Sequence, residues 1–162
     1  MERSKFNVDT TSKGVEKRTY EGIVFDSVME MKFYRDVVLP QTRSGKITKC
    51  DLQKEYILQP KFIRNGKTFL PIVYKADFYI EYSDGSFEVI DTKGFADSVA
   101  KIKKKMFLYL YPDVPYRWIG YSKIDGNEEN QGWVDFDYIN RQRAKRKREK
   151  RLAKEEKEKY NG

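Results

Sequence analysis

Two short apolar runs, separated by a compact turn signal, constrain the fold of this chain more than any other feature. Residues 69–82 and residues 87–92 are rich in β-branched and aromatic side chains, which is typical of strands. Between them stands Asp84-Gly85, a dipeptide that favours a tight reversal of the chain. The sequence therefore predicts an antiparallel hairpin at this point.

The length of the hairpin loop decides which side chains share a face of the sheet. A two-residue loop would pair Asp77 with Thr92 and separate Asp77 from Asp91. A three-residue loop with Gly85 in the left-handed conformation pairs Asp77 with Asp91 instead. We predict this second register, which brings both aspartates and Lys93 to one face.

Composition limits the chemistry that such a chain can perform. Its 162 residues suggest one domain, and the alternation of strand-like and helical segments predicts the α/β class. Cys50 is the single cysteine and there is no histidine. These counts exclude disulfide frameworks, zinc fingers and Ser-His-Asp or Cys-His hydrolases. Any metal ion must then be bound by oxygen ligands.

Charge is concentrated at one end of the chain. The formal net charge is +8, and residues 141–159 alone carry 11 Lys or Arg against 4 Glu. We predict a flexible arm at 1–22, a folded domain at 23–136 and a basic helical tail at 137–162. Such a tail indicates a polyanionic partner. The sequence has neither a membrane-spanning run nor a signal peptide, so we expect no membrane partner.

Helical spacing marks two further segments. The first helix should run from Ser27 to about Leu39, begin with a capping box and end at Pro40 and Gly45. The second should run from Ser98 to about residue 111 and end at Pro112. The predicted buried residues are Met31, Tyr34, Val37 and Val38 in the first helix, and Val99, Ile102, Met106, Tyr109 and Leu110 in the second.

Other strand signals lie on either side of the hairpin. Residues 56–63 should form a strand in which Pro60 favours an edge or a bulge, and Asn65-Gly66 should form a tight turn. Residues 116–121 should form another strand. The tryptophans, Trp118 and Trp133, are expected in the core and receive no role in a site.

The order of these elements resembles that of the PD-(D/E)XK nuclease superfamily over about residues 25–121. The residues that carry the resemblance are Glu30 on the first helix, Asp77 on one strand, and Asp91 and Lys93 at the end of the next. The surrounding sequence is similar to that of small phage-encoded proteins placed in this superfamily. The resemblance implies a restriction-endonuclease-like core, in which helices flank a central mixed sheet, followed here by the basic helical tail.

The resemblance also implies a catalytic group and a cofactor. Asp77, Asp91 and Glu30 would bind Mg²⁺, for which Mn²⁺ would substitute, and the Thr92 carbonyl would add a ligand. Lys93 would position the attacking water or neutralise charge in the transition state. Glu30 has an alternative role as the acidic member of the capping box, and both roles stay open.

Two sets of basic residues are candidate DNA contacts. On the second helix, Lys103 or Lys105 would touch the scissile phosphate, and the other lysines would touch its neighbours. In the tail, a run of cations would follow a phosphate backbone, although a solubilising helix would have a similar composition. The residues are Lys101, Lys103, Lys104 and Lys105 on the helix, and Arg141, Arg143, Lys145, Arg146, Lys147 and Arg148 in the tail.

These observations lead to the expectation of a Mg²⁺-dependent DNA endonuclease that hydrolyses phosphodiester bonds. Branched DNA such as a Holliday junction, and a homodimer that cuts two strands, are implied by the resemblance alone. The alternatives are a nicking or restriction-like endonuclease on duplex DNA and a non-catalytic DNA-binding accessory protein. The expected location is the cytoplasm, that of the host cell if a phage encodes the protein.

Overall fold

A computed structural model describes residues 9–160 of the chain, with side chains described up to residue 158. Five α-helices and one π-helical turn occur in this part of the chain. The helices are α1 (Ser12–Lys17), α2 (Val28–Phe33), α3 (Leu39–Arg43), α4 (Ser98–Leu110) and α5 (Phe136–Tyr160), and the π-helical turn is Tyr34–Val38.

Nine strands accompany these helices, and five of them form a mixed central sheet in the order β3-β6-β7-β8-β9. The protein is thus of the α/β class, as predicted. The strands are β1 (Thr19–Tyr20), β2 (Ile23–Val24), β3 (Ile47–Gln59), β4 (Phe62–Arg64), β5 (Lys67–Phe69), β6 (Ile72–Tyr82), β7 (Phe87–Thr92), β8 (Tyr116–Tyr121) and β9 (Trp133–Asp135).

The chain divides into two compact units, Met1–Arg117 and Trp118–Gly162. In the first unit, one aromatic cluster joins α4 to the strands. Phe107 is fully buried and contacts the rings of Tyr56, Tyr74 and Tyr116 at centroid distances of 4.9, 5.2 and 4.6 Å. Aromatic rings in such tilted and edge-on arrangements stabilise a core beyond the area that they bury. This cluster fixes the position of α4.

The predicted register of the hairpin is confirmed. Strands β6 and β7 pair Phe78 with Ile90 and Glu81 with Phe87, and the Tyr82 amide donates to the Ser86 carbonyl. Gly85 has φ +82°, the left-handed value that the three-residue loop requires. The next pair in this register joins Asp77 to Asp91.

The first predicted helix exists but ends later than expected. It continues from α2 through the π-helical turn into α3 and stops at Arg43, before Gly45 at φ +76°. Pro40 lies in the first turn of α3, where the missing amide hydrogen of proline costs little. The extra residue of the π-helical turn places this proline at a tolerated position, so the prediction that Pro40 ends the helix was wrong.

The strand predicted at 56–63 begins earlier and is divided in two. Strand β3 starts at Ile47 and ends at Gln59, because Pro60 cannot donate to the ladder, and β4 follows separately. Strand β3 lies at the edge of the central sheet, as Pro60 favoured. The turn at Asn65-Gly66 is confirmed, with φ +49° and +71°.

The buried face predicted for α4 is wrong. Of the five stripe residues only Met106 is half-buried, whereas Val99, Ile102 and Tyr109 are 58, 57 and 85% exposed. The helix instead turns Phe107 into the aromatic cluster, with Lys103 and Lys104 half-buried beside it. The orientation of α4 is therefore determined by the burial of the Phe107 ring, and the larger number of apolar side chains on its other face stays exposed.

The described part of the predicted N-terminal arm is folded into a helix and a hairpin, and residues 1–8 lie outside the described part. Thr11 caps α1 by accepting from the Gly14 amide. Strands β1 and β2 then pair around Glu21-Gly22, which have φ +48° and +80°. These positive angles are typical of a tight hairpin turn, a signal that the sequence analysis did not use.

The second unit contains the remainder of β8, β9 and α5. Strand β8 has the predicted bounds, whereas β9 was not predicted. Trp118 and Trp133 are 4 and 7% exposed, which confirms that they belong to the core. Helix α5 confirms the predicted helical tail. No helix in the described range is long and apolar enough to span a membrane.

Candidate active site

Four polar side chains lie side by side across adjacent strands of the sheet. The register places Gln53 of β3 opposite Asp77 of β6, and the hairpin register places Asp77 opposite Asp91 of β7. On the far side of Asp91, the hydroxyl of Tyr116 on β8 donates to Asp91 Oδ2 at 3.4 Å. The length of the hairpin loop determines the middle of this row, because it decides which residues of β6 and β7 are opposite each other.

The carboxylate of each aspartate accepts a hydrogen bond from a backbone amide on the other aspartate's strand. The Asp77 amide donates to Asp91 Oδ1 at 3.1 Å, and the Thr92 amide donates to Asp77 Oδ2 at 2.8 Å. The Thr92 hydroxyl adds a second bond to the same Asp77 oxygen at 3.0 Å. Backbone amides thus donate to both carboxylates, and these hydrogen bonds hold the two side chains in fixed orientations.

Lys93 completes the charged group. Its ammonium lies 2.8 Å from Asp91 Oδ2, and the Asp91 side chain is 2% exposed. Burial alone lowers the pKa of the lysine, yet the neighbouring carboxylates, Asp91 first, outweigh burial and hold that pKa above its usual value. Lys93 is therefore a cation fixed at the end of β7, as the three-residue loop predicted.

Glu30 lies close to this group but has its own hydrogen bonds. Its carboxylate accepts from the Asp26 amide and from the Gln53 side chain, both at 3.3 Å, while its amide donates to the Ser27 hydroxyl. The serine half of the predicted capping box is present, whereas the carboxylate bonds to the Asp26 amide rather than to that of Ser27. Glu30 therefore joins the start of α2 to β3.

Burial, together with nearby carboxylates, raises the pKa values of two acids in the site. Burial, opposed in part by the Ser27 hydrogen bond, raises the pKa of Glu30 to about 7. Burial and the charges of Asp91 and Glu30 raise the pKa of Asp77 well above its ordinary value, although Lys93 opposes this effect. Without a bound cation, Glu30 and Asp77 therefore retain their protons to a higher pH than ordinary carboxyls do.

Gln53 is one of two residues of this row that were not predicted from sequence, and Tyr116 is the other. It has φ +55° in the middle of a long strand, a conformation that non-glycine residues rarely adopt. Strain of this kind occurs most often at functional sites. Neither composition nor turn chemistry marks Gln53 in the sequence, because its backbone angle depends on its neighbours in the folded sheet.

The donor set suits a hard cation held by few protein ligands. In the described part of the chain, no three Asp, Glu, His or Cys side chains form a group that could hold a metal ion. Mg²⁺, however, commonly binds through one or two carboxylates and keeps several waters. Asp77 and Asp91 supply two such carboxylates, and a bound divalent cation would stabilise their charged forms.

The lysines of α4 differ in their surroundings. The Lys103 ammonium donates to the Val73 carbonyl at 2.7 Å, so this side chain reaches the start of β6. Lys104 is half-buried, while Lys101 and Lys105 are exposed. The proposed contacts of these residues with phosphates stay predictions, and Lys103 has one of its three donors already in use.

The basic residues of the tail lie on α5. Arg141, Arg143, Lys145, Lys147 and Arg148 are exposed. Arg146 instead makes a two-pronged ion pair with Asp125, at 2.7 and 3.0 Å. An open cavity of about 380 Å³ adjoins this pair, and its lining includes Arg143, Lys147 and Lys150. A cation surface is thus present in the second unit, with Arg146 anchored to the loop that precedes β9.

Comparison with known proteins identifies one family. A family model described as "Protein of unknown function (DUF1064)" matches residues 10–124. The matched range includes Glu30, Gln53, Asp77, Asp91 and Lys93, and it ends before α5. Neither a curated protein nor a solved structure matches the chain.

Proposed function

We propose that this chain, which belongs to the DUF1064 family, is a metal-dependent endodeoxyribonuclease that hydrolyses phosphodiester bonds in DNA. One observation carries the proposal: Asp77 and Asp91 lie opposite each other on two strands, with Lys93 2.8 Å from Asp91. A restriction-endonuclease-like core is part of the proposal, since an α/β fold with a mixed central sheet is compatible with it.

Asp77 and Asp91 would hold the cation, and the carbonyl of Thr92 is the further ligand that the resemblance implies. When bound, Mg²⁺ supplies Lewis-acid polarisation of the phosphate and a more acidic water. The backbone donors on both carboxylates keep them oriented, so little reorganisation is needed when substrate arrives. Glu30 lies near Asp77, and a bound cation would lower the pKa of both carboxyls and so favour their charged forms.

Lys93 would stabilise the transition state. Water attacks phosphorus and loses a proton, the phosphorus–oxygen bond to the leaving group breaks, and the leaving oxygen takes up a proton. Negative charge grows on the phosphoryl oxygens in the transition state. An ammonium held in a largely buried position stabilises such charge more strongly than one in bulk water. Lys93 therefore has a role that neither aspartate can perform.

The polyanionic substrate is supported by charge. The chain carries a net charge of +8, and most of its excess cations lie on α5. Such a surface gives salt-dependent affinity for phosphates without reading bases. Branched DNA as substrate and a homodimer as the active form belong to the proposal through the resemblance, and the cleavage experiment addresses the substrate.

Cleavage assays test this function directly. A labelled four-way junction, a linear duplex and single-stranded DNA are incubated with Mg²⁺, with Mn²⁺ or with EDTA. We expect cation-dependent cuts that fall at least about 100-fold in Asp77→Asn and Asp91→Asn. Asp51→Asn is the matched control, since Asp51 lies on β3 in an exposed ion pair with Lys49.

The pattern of cleavage separates the alternatives. Symmetric cuts at the junction would identify a junction resolvase, and cuts in the linear duplex would identify a nicking or restriction-like enzyme. DNA binding without any cation-dependent cleavage would contradict the nuclease proposal and leave an accessory protein. Equal activity in Asp91→Asn and wild type would show that the cleavage comes from another site.

A further inference from the structure

The hairpin formed by β4 and β5 is an arm that extends beyond the β3–β6 ladder, and no element in the described part of the chain covers it. Every residue from 60 to 71 is exposed, and the pairing of β4 with β5 continues the register of the β3–β6 ladder beyond Gln59 and Ile72. Pro60 and Pro71 stand at the two points where this arm leaves the sheet. Prolines at these points end the main ladder and stiffen the base of the arm.

One face of this arm combines aromatic rings with cations. Phe62 and Phe69 pair across the strands, with centroids 4.7 Å apart and rings 3° from parallel, and they are 41 and 38% exposed. Two residues further along each strand, Arg64 pairs with Lys67 on the same face. Contiguous exposed apolar groups mark binding surfaces more often than isolated ones do.

The composition of the arm indicates the class of that partner. Residues 60–71 contain three cations, Lys61, Arg64 and Lys67, and no acidic residue. A second copy of this chain, with its own net charge of +8, would bring like charges together. Phosphates beside exposed bases, in contrast, match both the cations and the flat rings.

The position of the arm relates it to the proposed site. Strand β6 begins at Ile72 and β7 ends at Thr92, so the arm leaves the same end of the antiparallel pair at which Lys93 lies. Phe69 precedes Asp77 by eight positions, which is at most about 27 Å of extended chain. One turn of duplex DNA is about 34 Å long, so DNA held at Asp77 and Asp91 can reach the arm.

We propose that the β4–β5 arm stacks Phe62 and Phe69 on an unpaired or unstacked base within about one duplex turn of the scissile phosphate, and so selects interrupted duplexes over continuous ones. The rings have no hydrogen-bonding group that could read a base edge, whereas stacking accepts any base. Bases at forks, flaps and branch points are already partly unstacked, so stacking there costs less than in a continuous duplex. This inference rests on the proposed nuclease function.

The test uses the full chain in EDTA, so that binding is measured without cleavage. A forked duplex carries 2-aminopurine at the first unpaired position, and a continuous duplex of the same sequence is the comparison. We expect Phe62→Ala/Phe69→Ala to bind the fork about tenfold more weakly than wild type, to lose the fluorescence change, and to bind the continuous duplex unchanged. Ile63→Ala/Leu70→Ala, which removes other exposed apolar groups of the arm, should retain wild-type behaviour.

Each result has a separate meaning for the two proposals. Wild-type fork affinity in Phe62→Ala/Phe69→Ala, or equal losses in both double variants, would overturn the inference while the cleavage assay still decides the nuclease function. Fork selectivity that depends on the two rings, without cleavage in Mg²⁺, would support the arm and contradict the nuclease. If wild type binds neither DNA in EDTA, the inference about the arm is overturned and a protein partner becomes the better explanation for it, while the cleavage assay in Mg²⁺ still decides the nuclease function.

Discussion

At the scale of single residues, Asp91 is the centre of the candidate site. It is 1% exposed and accepts bonds from Lys93, from the Asp77 amide and from Tyr116. A buried carboxylate with this many donors depends on each of them, because an unpaired buried charge is costly. Substitution of a residue that donates to Asp91 should therefore lower the stability of the protein as well as its activity.

Replacement of Lys93 by methionine should expose that dependence. Lys93→Met keeps the length of the side chain but leaves Asp91 and Asp77 without their cation, so we expect a loss of about 3 kcal/mol of unfolding free energy in EDTA. Urea denaturation measures the loss. Asp91→Asn/Lys93→Met should recover part of it, because the buried charge is then removed as well. Equal stability of Lys93→Met and wild type would show that the ion pair contributes nothing.

Glu30 should make stability depend on pH. Its pKa is raised from 4.5 to about 7, so the folded state binds a proton more tightly than the unfolded chain between these values. The stabilising contribution is complete below pH 4.5 and is lost as the pH rises through 7. In EDTA, wild type should therefore lose about 2 kcal/mol between pH 5 and pH 8.

The variant Glu30→Gln tests the origin of this pH dependence. It should reduce the fall in stability but not abolish it, because the pKa of Asp77 is raised as well. Glu55→Gln, in an exposed ion pair with Lys75, should follow the wild-type curve. A Glu30→Gln curve as steep as that of wild type would assign the pH dependence to other groups.

At the scale of elements, local chemistry was predictable and packing was not. The left-handed glycine of a three-residue loop fixed the register of β6 and β7, so the pairing of Asp77 with Asp91 could be derived from sequence. The face of α4 depended on Phe107 meeting rings from three other segments, which periodicity alone cannot reveal. The bend at Gln53 is likewise a property of the assembled sheet.

The strain at Gln53 can be measured with two substitutions. Gln53→Gly and Gln53→Ala both remove the bond to Glu30, but only glycine adopts φ +55° without strain. We expect Gln53→Gly to be about 1 kcal/mol more stable than Gln53→Ala in urea denaturation. At a regular strand position the order would be reversed by a similar amount, so a more stable alanine variant would show that β3 is unstrained at this point.

At the scale of the whole molecule, the basic tail and the proposed catalytic residues lie in different compact units. The proposed catalytic residues all lie in the first unit, whereas the basic tail belongs to the second. Arg143, Lys145 and Lys147 are exposed, while Arg146 is anchored by Asp125 and contributes less free charge. Removal of the three exposed cations should therefore weaken DNA binding and leave the cleavage rate at saturating DNA unchanged.

Salt titration distinguishes a phosphate-binding tail from a merely solubilising one. Each lost phosphate contact lowers the slope of log Kd against log salt by about 0.9 on duplex DNA, so Arg143→Gln/Lys145→Gln/Lys147→Gln should reduce it by up to about 2.7. Arg151→Gln/Lys154→Gln is the control, because these cations pair with Glu155 and Glu158 on the same helix. If the triple variant keeps the wild-type slope, these three cations make no phosphate contacts, and the affinity must come from other cations, such as Lys101, Lys105 and those of the β4–β5 arm.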